Sequence, residues 1–115
     1  RRIGMGKILG LVARYYGLRV VDLTGRNRHR SQVVPRQVAM YLAKRLTHMS
    51  FAEIGAHLGG RDHTTVLHGC RAIAARAEDA GEIGRDLHRI EQILVEGEDG
   101  DLGDGRLPSR HALAG

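Results

Sequence analysis

The stretch SFAEIGAHLGGRDHTTVLHG, residues Ser50 to Gly69, holds two helix starts and one turn. Ser50-Phe51-Ala52-Glu53 has the form of a capping box, in which the Ser hydroxyl accepts from one free backbone N–H and the Glu reaches back to another. A helix therefore starts at Ser50, carries Phe51, Ile54, Gly55 and Leu58 inward, and stops at Gly59-Gly60. After the turn, Asp62 is a good N-cap for a second helix running to about Ala77, with Val66, Leu67, Cys70, Ile73 and Ala74 on its apolar side. Two helices around a short Gly-containing turn predict a helix-turn-helix.

Helices are also expected on either side. Ile8, Leu9, Leu11, Val12 and Tyr15 recur at helical spacing, predicting a helix from about Ile3 to Tyr16, stopped by Gly17 in a left-handed conformation. Val20 to Leu23 suggests one further turn of helix, and Gly25 to Gln32, polar, basic and rich in turn formers, reads as an exposed loop. Pro35 suits the first turn of a helix whose apolar face is Val38, Tyr41/Leu42, Leu46 and Met49. An acidic linker around Glu78 to Glu82 precedes the stripe Ile83, Leu87, Ile90 and Leu94 of a final amphipathic helix. No strand alternation, internal repeat or heptad series stands out, so the fold class is all-α, a helical bundle. One domain is expected over 1–96. From Gly97 the chain is rich in Gly and Asp with too few large apolar groups to offset the entropy of ordering, so 97–115 is expected to be a disordered acidic tail.

Composition narrows the function. Among residues 1–76, fourteen Lys and Arg stand against three Asp and Glu, a net +11; residues 77–115 carry four against ten, a net −6. The first part has the field of a domain that binds a polyanion, although a merely basic surface would show the same composition. Aromatic content is only 3%, which supplies base-stacking surfaces for single strands poorly. The single cysteine excludes an internal disulfide and favours a reducing, cytoplasmic setting. No apolar run reaches the roughly 18 residues needed to cross a bilayer, so no membrane partner is expected. The chain opens on Arg1 rather than Met, as a piece of a longer polypeptide would.

The front of the second helix is crowded with polar groups. If Asp62 caps it, His63, Thr64 and Thr65 fill a first turn whose backbone N–H groups lack internal partners and where the helix dipole is positive. In helix-turn-helix proteins these are the residues that reach base edges in the major groove. An imidazole, a hydroxyl with a methyl, and a carboxylate facing a cytosine amino group all suit that task. Capping alone is the commonest use of such residues, but one of them suffices for a cap. The Arg26–Arg30 loop could lay an arginine into a minor groove, and Arg36, Gln37, Lys44 and Arg45, on or near the exposed side of the next helix, suit phosphate contacts. Each of these alone would also pass as plain surface.

Enzymatic readings are weaker. The chain has no P-loop, and no nucleotide or other cofactor is called for. His63 and His68 are five apart, about 140° around a helix, and make no metal pair. His68 reads as a partly buried structural histidine, Cys70 as a small core residue, and the acidic residues of the C-terminal half as solvated faces.

The signature Gly59 to His68, with "YYGL" (15–18), "VVDLTG" (20–25), "PRQVAMYLAKRLT" (35–47) and "SFAEIGAHLGG" (50–60), closely resembles the C-terminal DNA-binding domain of the bacterial replication initiator DnaA, in consistent order over residues 3–95. That resemblance implies a Trp repressor-like helical bundle that binds double-stranded DNA at DnaA boxes of the replication origin. By position it implies base contacts from Asp62, His63, Thr64 and Thr65, and a minor-groove contact from Arg28. Arg26, Arg30, Arg36, Gln37, Lys44 and Arg61 would serve the phosphates. The family's ATP-binding module, an expected partner in the same polypeptide, lies upstream and outside this chain, so no catalysis is expected here. A stand-alone regulator or a transposase's targeting domain would use the same fold. A module holding an acidic protein, or its own tail, on the basic face is the reading from another class.

Overall fold

The computed structural model describes residues 3–26, 29–78 and 81–96. These form six helices and no strand: α1 (Met5–Tyr15), α2 (Val20–Thr24), α3 (Arg30–Leu46), α4 (Phe51–His57), α5 (His63–Ala77) and α6 (Glu82–Glu96). The expected tail, 97–115, lies outside the described residues.

The stripe of α1 is buried as its spacing predicts, with Ile8 and Val12 fully enclosed. Its end is a Schellman motif. Leu18 N–H donates to the Ala13 carbonyl at 2.7 Å and Gly17 N–H to that of Arg14 at 3.2 Å, with Gly17 at φ +71. Only Leu23 of α2 turns inward; Val20 and Val21 are exposed, contrary to the apolar segment expected there.

The long α3 runs through the middle, packing on α5, α1, α2 and α4. It begins at Arg30, so Arg30 to Gln32 are helical rather than loop, and Pro35 is its sixth residue instead of a first-turn residue. A proline there removes one bond, to the carbonyl of Ser31, and Ser31 is exposed, so that carbonyl stays in reach of water.

Ile83, Leu87, Ile90 and Leu94 of α6 are all buried, as expected. Asp86 is not a solvated acid: it is 4% exposed and accepts from the Tyr15 and Tyr16 hydroxyls at 2.9 Å each. The two tyrosine rings meet edge to face at 5.2 Å. Asp86 sits three residues after Ile83 and therefore on the same inward face. A buried carboxylate needs such donors, and they tie the last helix to the end of the first. Asp86→Ala should lower unfolding free energy by about 2–3 kcal/mol and Tyr16→Phe by about 1 kcal/mol, read as the shift in urea midpoint.

Candidate nucleic-acid interface

The capping box at Ser50 is formed. Glu53 N–H donates to Ser50 Oγ at 3.1 Å and Ser50 N–H to Glu53 Oε1 at 2.8 Å. The backbone bond from Ser50 leads in holding the Glu53 carboxyl below its usual range, so the cap is intact at neutral pH and is lost as pH falls through that lowered value. Beyond the end of α4, Gly59 (φ +75) and Gly60 (φ +77) reverse the chain. Consecutive left-handed residues demand glycine.

Two close approaches fix where α5 starts. Arg61 N–H donates to the Gly55 carbonyl at 2.9 Å, and a Cβ on Gly55 would collide with the Arg61 carbonyl oxygen. A Cβ on Gly59 would collide with the carbonyl of Thr24, so the turn lies against the end of α2. Further along α5, Gly69 lets α3 approach: a Cβ there would stand 2.6 Å from Met40 Sδ and 3.3 Å from Gln37 Cγ.

One arginine is placed otherwise than the sequence suggests. Arg36, read as an exposed phosphate contact, is 6% exposed. Its Nε donates to the Leu23 carbonyl and its Nη2 to that of Asp22, each at 2.9 Å. Arg61, also assigned to phosphate, is half-buried and donates to the carbonyls of Leu58 at 2.7 Å and Gly25 at 2.9 Å. Both side chains therefore engage carbonyls at the ends of α2 and α4, which a helix leaves without internal partners. Burial first, and the nearby charge of Arg61 second, pull the Arg36 guanidinium below its ordinary value. Apposing two cations costs energy, and the carbonyls offset that cost.

Asp62 takes the N-cap position of α5, but its side chain caps nothing. Its Oδ1 lies 3.2 Å from His63 Nδ1, and the other ring nitrogen, Nε2, lies 3.5 Å from Thr64 Oγ1. Asp62 and His63 are 65% and 64% exposed, Thr65 is exposed and Thr64 half-buried. The helix thus opens on an exposed row of polar side chains, and the Asp62 carboxylate leaves the first-turn N–H groups unoccupied. His68, expected to be partly buried, is exposed. It stands three and four residues after Thr65 and Thr64, so it prolongs their face by one turn, a relation visible in the spacing. Leu67 is half-buried and Ala74 exposed, where both were expected inside; Cys70 is buried, and that burial pushes its thiol up to about 11.

Beside this helix end lies a concavity of about 490 Å³ lined by Arg26, Arg36, Arg61, Gly60, Val33 and Thr65, among others. Three arginines and the positive end of a helix dipole border one space, which fits an anion. Gln37, on α3, lies against Gly69 of α5. Arg30 is exposed at the start of α3. Lys44 stands apart, exposed near the end of α3, with Nζ 3.3 Å from the Met49 carbonyl and 4.5 Å from the Phe51 ring centre. Arg28 lies outside the described residues.

This geometry is that of a helix-turn-helix, and its kin are specific. The profile described as "Bacterial dnaA protein helix-turn-helix" matches residues 5–73. The chain belongs to the DnaA helix-turn-helix family. It is 47% identical over 94 residues to the chromosomal replication initiator protein DnaA of Laribacter hongkongensis, covering 82% of this chain and 20% of that protein. It is 48% identical over 95 residues to the DnaA of Chloroflexus aggregans, covering 83% and 19%. The DnaA of Methylibium petroleiphilum is 46% identical over 94 residues, covering 82% and 20%. The chain spans about a fifth of the length of these curated relatives and matches the C-terminal helix-turn-helix domain of DnaA. Among the described residues no helix is long and apolar enough to cross a membrane.

Arg36→Ala should cost about 2–4 kcal/mol of unfolding free energy, since two charged hydrogen bonds go and two carbonyls are left unpaired. Arg36→Lys should recover less than half, because a single ammonium lacks the planar fork that spans both oxygens. Denaturant melts of the three proteins check this; unchanged midpoints would return Arg36 to the surface.

Proposed function

We propose that this chain binds duplex DNA sequence-specifically, as the domain that seats a replication initiator on DnaA boxes at the origin. The observation that carries the reading is the polar Asp62-His63-Thr64-Thr65 row at the uncapped end of α5, beside the three-arginine concavity, in a chain of the DnaA family. In this reading α5 enters the major groove by its N-terminus. His63 and Thr64 present donors, acceptors and a methyl to base edges, Asp62 accepts from a cytosine amino group, and Thr65 meets a base or the adjoining phosphate.

Phosphate contacts position the helix and carry most of the affinity, while base contacts select the site. Arg26, Arg30, Gln37 and Lys44 are the groups assigned to phosphate. Arg61 and Arg36 act mainly by holding the loop and turn in place. Arg28 is assigned to the minor groove on the family resemblance. The binding domain is taken as 1–96 and its setting as the cytoplasm. An ATP-binding module upstream in the same polypeptide would supply any nucleotide chemistry.

Pairing at each base edge is worth about 1–3 kcal/mol, so His63→Ala or Thr64→Ala should raise Kd for a duplex bearing a DnaA box by roughly 5- to 150-fold. Binding to a scrambled duplex should hardly change. Lys44→Ala should weaken both duplexes alike and flatten the salt dependence of log K by about one. Fluorescence anisotropy titrations across a salt series read all three. Equal losses on both duplexes for His63→Ala would reduce that residue to a structural role.

A further inference from the structure

A second concave surface lies on the same helix. Between α3, α4 and α5 runs a groove of about 340 Å³ whose floor includes Phe51, Leu67 and Ala74 and whose rim carries Lys44, Arg45 and Arg71. Apolar floor and cationic rim together suit a segment that alternates acid and leucine. Arg71 makes no ion pair among the described residues. Arg45 is paired with Glu91 of α6 at 3.0 Å and borders a neighbouring depression with Val95 and Glu96, the last residues of α6. The chain therefore leaves α6 beside one wall of the groove.

The residues beyond Glu96 have the matching chemistry. Gly97 to Asp104 reads GEDGDLGD, with four acids, one leucine and no cation before Arg106. Eight residues reach up to about 26 Å when extended, more than the 8–10 Å between packed helix axes. A tether this short holds the segment at a millimolar effective concentration.

We infer that residues 98–104 dock in this groove, with Leu102 on the Phe51-Leu67-Ala74 floor and the carboxylates toward Lys44 and Arg71. The consequence rests on the duplex-binding reading. Lys44 is a phosphate contact there, so the segment competes with the DNA backbone and lowers affinity for every duplex by the same factor. Exposed ion pairs are individually weak and screened by salt, so that factor is modest, about three- to tenfold at low ionic strength.

The test uses the full chain in three forms: wild type, Leu102→Ser, and Glu98→Gln combined with Asp99→Asn, Asp101→Asn and Asp104→Asn. Without DNA, NMR shift differences between wild type and each variant should centre on Phe51, Leu67, Arg71 and Ala74 and shrink with added salt. Differences confined to residues next to Glu96, or centred on His63 to Thr65, overturn the docking. With DNA, the fourfold variant should bind box and scrambled duplexes about three- to tenfold more tightly than wild type. Leu102→Ser, which leaves the charge unchanged, should tighten both about two- to threefold. If Leu102→Ser binds like wild type while the fourfold variant tightens, net charge accounts for the effect and the groove proposal fails. If no form binds duplex, the duplex reading fails, and the shift differences still decide the docking.

Discussion

The structure depends on two arginines that close the end of α2. Arg36 reaches from α3 to the carbonyls of Asp22 and Leu23, and Arg61 reaches from the helix-turn-helix turn to that of Gly25. A five-residue helix has few internal bonds, and the unpaired carbonyls at its C-terminus would otherwise face a partly dry interior. Guanidinium groups satisfy them and complement the negative end of the dipole. The same contacts fix three elements relative to one another: the start of the basic loop, the first turns of α3 and the front of α5.

In the proposed function that arrangement separates holding from reading. Arg36 and Arg61 line the concavity beside α5 while their donors are engaged by the protein, so they give it a positive field without long, mobile side chains. His63 and its neighbours are left exposed because Val66, one residue beyond Thr65, is fully buried and anchors the helix. Glycine makes the spacing possible. Gly55 and Gly59 bring the turn against α5 and α2, and Gly69 lets α3 lie close against α5 at Gln37 and Met40.

The capping box at Ser50, the stop at Gly17 and the α6 stripe are legible in the sequence because each depends on residues within a few positions of one another. The helix-turn-helix is legible for the same reason. Arg36 and Arg61 are not, since their partners are backbone carbonyls 13 and 36 residues away and no sequence pattern marks a carbonyl as needing a donor. The start of α3 departs from expectation because Pro35 does not hold its commonest helical position; an exposed Ser31 carbonyl tolerates it a turn and a half in. Asp62 has the sequence of a capping side chain, but the adjacent imidazole competes for its carboxylate. Asp86 leaves a partial signal: an acid on the inward stripe of a helix, in a chain with a Tyr pair elsewhere, needs such donors, although the pairing across some seventy residues is a tertiary fact.

The division of charge, strongly basic up to residue 76 and acidic beyond it, sets what the reading edge must achieve. A basic surface alone binds any duplex, so in the proposed function selection falls to the front of α5. Repeated selection of binding sites from a pool of random duplexes tests it most directly. On the proposed function, the wild-type chain enriches one short asymmetric sequence. A pool that stays random while duplex is still retained in a salt-dependent way would contradict it, and would leave the polar row at Asp62 to Thr65 as no more than a helix end.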